Sequence, residues 1–120
     1  SRDEPFFLLV EGSQVDWGGH DNDLEYLTNE YIEFDRAIGV ALKFIEENQN
    51  TLLVVTADHE TGGLGITSGT VSKLNSKARF STKGHTASMV PVFSKGIGSN
   101  EFSGIYDNTE IFYKMILQVR

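Results

Sequence analysis

Apolar and polar positions along this chain fall into blocks with two different periods. Phe6, Phe7, Leu8, Leu9 and Val10 form an unbroken apolar run, the pattern of a strand buried on both faces. From Leu24 the period changes. Leu24, Leu27, Tyr31, Phe34, Ile38, Ala41, Leu42 and Ile45 step by three and four, which predicts one long helix over Leu24 to Glu47 with a single apolar face. Asn22 is its expected cap, with Glu25 three residues on as in a capping box, and Asn48, Gln49 and Asn50 end it. Thr51 to Thr56 reads as a second buried strand. A strand–helix–strand crossover of this length joins parallel neighbours.

The remaining blocks are shorter. Glu11 to Asp23 is polar, contains Gly12, Gly18 and Gly19, and reads as a loop. Residues 60 to 84 are polar and glycine-rich, which predicts little regular structure and makes 66 to 84 a flexible polar connection. Met89 to Phe93 resembles a third strand, with Pro91 marking an edge position or an interruption. Asp107 is expected to cap a last helix, with Glu110 three residues later and Ile111, Phe112, Met115, Ile116 and Val119 on its inner face. The sum is a single α/β domain over 1–120, with a mostly parallel sheet flanked by helices.

Composition narrows the partners. With 10 Lys and Arg against 17 Asp and Glu, the net charge is −7 and no basic cluster is present. That argues against nucleic acid or an anionic membrane surface, since both require a positive face. The absence of cysteine excludes disulfides and thiolate metal sites and leaves the compartment open. No apolar run is long enough to span a bilayer. Residues 1 to 5 lack the apolar core and cleavage site of a secretion signal, and the chain reads as a piece of something longer.

The candidate chemistry lies in three histidines. His20 follows Asp16 by four residues, His59 directly follows Asp58, and His85 sits between Gly84 and Thr86. Imidazole and carboxylate are ligands that zinc and similar divalent ions accept where thiolates are absent. Glu11 and Asp58 directly follow the two predicted strands. In open parallel sheets, sites form where the loops leave the carboxyl ends of strands. Gly18 and Gly19 would let the first loop turn tightly enough for Asp16 and His20 to face one ion. Taken singly, each feature has a plainer reading. Asp16 and His20 are a common chance spacing, and His85 is a turn histidine bonded to its own loop. Glu11 is a surface or capping carboxylate, Trp17 a partly buried aromatic, and Glu60 and Thr61 stabilise a turn. The joint arrangement favours the metal.

Taken in order, Val10 to His20, Val55 to Gly63 and Gly84 to Ala87 resemble the carboxyl-terminal third of alkaline phosphatases, of the bacterial type with tryptophan after the zinc-ligand aspartate. Tyr106 to Tyr113 is similar to the family's last helix. The resemblance implies a phosphate monoester hydrolase working through a phosphoserine, with two zinc ions and one magnesium. It implies that Asp16, His20 and His85 hold the first zinc, that Asp58 and His59 belong to the second, and that Glu11 belongs to the magnesium. Trp17 would flank the phosphate or adjust water near the metal.

The family's nucleophilic serine follows an aspartate in an Asp-Ser-Ala type of stretch, and no serine here follows an aspartate. The shared zinc–magnesium aspartate, the phosphate-binding arginine and the magnesium threonine have no counterpart either. The expected parent is therefore a periplasmic or secreted phosphatase, possible as a homodimer, whose amino-terminal part supplies the missing groups. This chain alone is expected to be inactive or nearly so and, through an exposed sheet edge and apolar surface, to self-associate or be partly disordered over 66–84. Two other readings stand beside it: a non-enzymatic zinc-binding module, and part of a related phosphodiesterase or cofactor-independent phosphoglycerate mutase.

Overall fold

The computed structural model describes residues 5–70 and 75–118. Helix α1 runs over Gln14–Asp21 and α2 over Leu24–Glu47. Then come β1 (Leu52–Val55), β2 (Glu60–Thr61), β3 (Gly65–Thr70), β4 (Asn75–Arg79), β5 (His85–Thr86) and β6 (Phe93–Gly96). A 3-10 turn over Ser99–Phe102 and helix α3 (Glu110–Ile116) complete the described residues.

The long helix occupies the predicted span, but its start is built differently. Asn22 adopts the left-handed conformation (φ 57°) and closes α1. The Asn22 N–H donates to the Gly19 carbonyl and the Asp23 N–H to that of Gly18, both at 3.1 Å, which is the paired bonding of a Schellman end. Asp23, not Asn22, then caps α2 by accepting from the Tyr26 N–H at 2.9 Å. Two helices therefore meet at a two-residue corner, so the segment predicted as a loop is mostly helical. The last helix has its cap position at Thr109, so the expected cap Asp107 lies in the turn before it. Its Oδ1 accepts from the Thr109 N–H (3.0 Å) and hydroxyl (2.8 Å). Those bonds, the backbone one first, hold the Asp107 carboxyl below its ordinary value.

Strand pairing departs most from expectation. Among the described residues the three pairs are all antiparallel: β1 with β6, β2 with β5, and β3 with β4. The run Phe6 to Val10 forms no strand, and Leu9 within it is 81% exposed. A doubly buried parallel strand needs layers on both faces; here the run is largely exposed, with Phe44 meeting Phe6 edge to face at 6.1 Å. The third strand starts at Phe93, beyond Pro91, because proline cannot contribute an N–H to a ladder. Regular structure also replaces the expected irregular stretch. β3 and β4 pair across a bulge between Ile66 and Ser68, while 71–74 lie outside the described residues.

Only Ile45 and Phe102 are buried hydrophobic residues among those described. The inner face expected of α3 is largely open, with Phe112 55% and Ile116 45% exposed; Val119 lies outside the described residues. The radius of gyration is 16.6 Å, above the roughly 13–14 Å of a compact chain this long. What positions the site is instead a close backbone approach. A Cβ added to Gly18 would stand 2.7 Å from the Leu27 backbone, and one on Gly19 would stand 2.9 Å from the Thr61 carbonyl oxygen.

Two glycine substitutions separate propensity from packing. Gly39 lies inside α2 with nothing within 4 Å of an added Cβ, so Gly39→Ala should stabilise by about 0.5–1 kcal/mol. In Gly18→Ala the same propensity gain is outweighed by overpacking of about 1–3 kcal/mol against backbone that cannot move aside. Urea midpoints should therefore shift in opposite directions. A rise for both would show that α1 and α2 are not in the contact described.

Candidate metal centre

Three elements bring the site together. Asp16 and His20 are one helical turn apart on α1, so they share a face. His85 lies on β5, opposite Thr61 of β2. The pair β2–β5 is only two residues long and is held by its flanks. The Gly62 N–H donates to the Gly84 carbonyl at 3.0 Å. The Glu60 carboxylate accepts from the N–H groups of Gly63 and Leu64, each at 3.1 Å, and from the Thr86 hydroxyl.

Ligand atoms of Asp16, His20 and His85 all lie within 4.8 Å of one another. Nε2 of His20 is 3.4 Å from Asp16 Oδ2 and 3.2 Å from Nε2 of His85, which is 3.8 Å from Asp16 Oδ1. The outward nitrogen of His20 decides the chemistry. Its Nδ1 stands 2.6 Å from the Lys83 carbonyl oxygen, which can only accept, so Nδ1 carries the proton. In neutral His20, Nε2 then points a lone pair into the cluster. A metal-binding histidine is normally oriented in this way. Lone pairs of imidazole and carboxylate converging at this range repel unless a proton or a cation lies among them. Two nitrogens and an oxygen, with no sulfur, suit zinc.

Asp58 and His59 form a neighbouring pair, with His59 Nε2 3.2 Å from Asp58 Oδ2. The Asp58 side chain is 85% exposed. His59 stacks on His85, ring centroids 3.5 Å apart and planes 19° apart, so the two sets adjoin. Glu11 precedes α1, is exposed, and is not joined to the cluster. Trp17 is 59% exposed on α1, directly after Asp16.

Sequence reasoning reached Asp16 and His20 through a tight loop, whereas a helix presents them. Gly18 and Gly19 serve helix packing, not loop flexibility. It also gave Thr61 only a turn-stabilising reading. The Thr61 hydroxyl donates to Asp16 Oδ1 and stands 3.2 Å from His59 Nδ1. Its spacing of two from His59 placed both on one face of an extended segment, which was the available signal.

The family model described as alkaline phosphatase matches residues 1–77. Alkaline phosphatase 4 of Bacillus subtilis is 33% identical over 114 residues, covering 95% of this chain and 25% of its own length. The alkaline phosphatase of the Antarctic bacterium TAB5 superposes with a TM-score of 0.81 at 49% identity, covering 90% of this chain and 33% of that one. A variant of the TAB5 enzyme with Mg bound in its M3 site superposes with a TM-score of 0.83. The chain belongs to the alkaline phosphatase family and has its α/β fold. It spans about a quarter to a third of the length of these relatives.

The Glu60 clamp gives a pH test. Burial pushes the carboxyl up, but the hydrogen bonds from Thr86, Leu64 and Gly63, with help from His59, outweigh it and leave the group below its ordinary value. A lowered carboxyl contributes stability that is complete above the ordinary glutamate range and is lost as pH falls through the lowered value. Glu60→Gln should therefore reduce stability at neutral pH and flatten its decline in acid. Superimposable stability–pH curves for the two proteins would remove Glu60 from this role.

Proposed function

We propose that this chain supplies the zinc-binding part of a phosphate monoester hydrolase. The observation that carries the reading is the convergence of Asp16, His20 and His85, with the His20 tautomer set by Lys83. These three residues would hold the first zinc. Asp58 and His59 would contribute to a second, Glu11 to a magnesium, and Trp17 to the rim where the phosphate rests. When bound, zinc supplies Lewis-acid polarisation of a phosphoryl oxygen and a lowered pKa for an oxygen nucleophile. The chain's own part is to hold and orient. α1 fixes the Asp16 carboxylate, the Lys83 carbonyl fixes the His20 ring, and the stack of His59 on His85 keeps the two sets side by side.

No serine of this chain stands in the nucleophile's context, so the reacting hydroxyl belongs to sequence outside these residues. Family membership supports a phosphate monoester as substrate and a periplasmic or secreted setting. No helix of the described residues is long and apolar enough to cross a membrane. Uncovered apolar surface supports an amino-terminal part of the protein, or a second copy, as partner. Phe6 to Val10 is open, and so is a groove of about 770 Å³ lined by residues that include Met89, Pro91, Phe102 and Ile105.

Titration calorimetry at neutral pH should find about one zinc per chain, abolished by His20→Ala or His85→Ala. A wild-type chain that takes up no zinc would end the reading. p-Nitrophenyl phosphate should not be turned over by the chain above a metal-only control; turnover would contradict the placement of the nucleophile elsewhere.

A further inference from the structure

We infer that Thr61 is a positioning residue that ties the two histidine–aspartate sets together through one directed line of hydrogen bonds. The direction follows from what each group can do. The Asp16 carboxylate only accepts, so the single Thr61 hydroxyl proton goes to its Oδ1. The hydroxyl oxygen is then left as the acceptor for His59 Nδ1, 3.2 Å away. Neutral His59 must therefore carry its proton on Nδ1, which leaves its Nε2 lone pair on the side of Asp58 Oδ2, 3.2 Å away. One hydroxyl thus orients a carboxylate of the first set and selects the ligand tautomer of the second.

The site is built so that this hydroxyl cannot drift. Thr61 pairs with His85 across β2–β5. Its Cβ and Cγ2 both stand 3.1 Å from where a Gly19 Cβ would lie, so its methyl faces α1 at a position that admits no side chain. His59, stacked on His85, is confined by the same strand pair. An outer hydrogen-bonding partner of this kind commonly changes metal affinity by about 10–100-fold when removed.

The inference rests on the proposed zinc reading for its affinity arm, and an arm without metal tests it separately. In the metal-free intact chain, long-range ¹H–¹⁵N spectra should show His59 protonated at Nδ1 in wild type and in Thr61→Ser. In Thr61→Val, which keeps the shape and removes the hydroxyl, the proton should redistribute to Nε2. Zinc affinity, read by competition with a chromophoric chelator, should fall about tenfold or more in Thr61→Val and be retained in Thr61→Ser. Circular dichroism and thermal midpoints would show whether each variant is folded.

Two results would overturn the inference: an unchanged His59 tautomer with unchanged zinc affinity in Thr61→Val, or a loss in Thr61→Ser as large as that in Thr61→Val. The second would assign the role to the methyl group against Gly19. Failure of wild type to bind zinc would strike the functional reading, while the tautomer measurement would still decide the role of Thr61.

Discussion

The approach of α1 to the β2–β5 pair is the constraint on which the site depends. Gly19 and Gly62 let the two backbones pass so closely that added Cβ atoms would meet the Thr61 and Gly19 carbonyl oxygens at 2.9 and 2.8 Å. Any side chain at these positions would push the helix away from the strands, and the site would open with it. Asp16 and His20 ride on the helix, while His85 and Thr61 ride on the strands. Gly18 adds the second anchor, bringing α1 against Leu27 of α2. The glycines therefore act as spacers for a ligand set, and the fold around them contributes little burial of its own.

That geometry sets up an electrostatic problem that a cation resolves. His20 commits its Nδ1 proton to Lys83, and Asp16 receives one from Thr61. What remains in the centre is lone pairs and negative charge. A proton shared between His20 and His85 answers part of this, and a divalent ion answers all of it with one centre. The neighbouring pair differs at its carboxylate: Asp58 is 85% exposed against 36% for Asp16, which fits a set that would take further ligands from elsewhere in the protein.

Much of this was legible in the sequence, though unevenly. α2 was readable end to end because its period of three and four is sustained over many turns, whereas the cap position of the last helix falls two residues past the expected one, Asp107, whose carboxylate holds the preceding turn through Thr109. α1 was hidden because Gly12, Gly18 and Gly19 look like loop residues. Helix packing gave them a different use that only tertiary context reveals. Phe6 to Val10 was expected as a strand and forms none, since an apolar run states that a segment seeks burial but not which neighbour it pairs with. β6 moved past Pro91, which the sequence had flagged as an interruption. The proposed ligand residues stand out by their types and contexts. Thr61 and the Lys83 carbonyl do not, because their roles arise from α1 crossing β2 and β5.

Two imidazoles and one carboxylate of this chain are proposed to converge on a single zinc. X-ray absorption at the zinc edge of the chain loaded with one equivalent tests it most directly. Nitrogen and oxygen neighbours only are expected, at about 2.0–2.1 Å, with the multiple-scattering signature of two imidazole rings, and of one ring after His85→Ala. A shell of oxygen alone, or one unchanged by that substitution, would contradict the convergence.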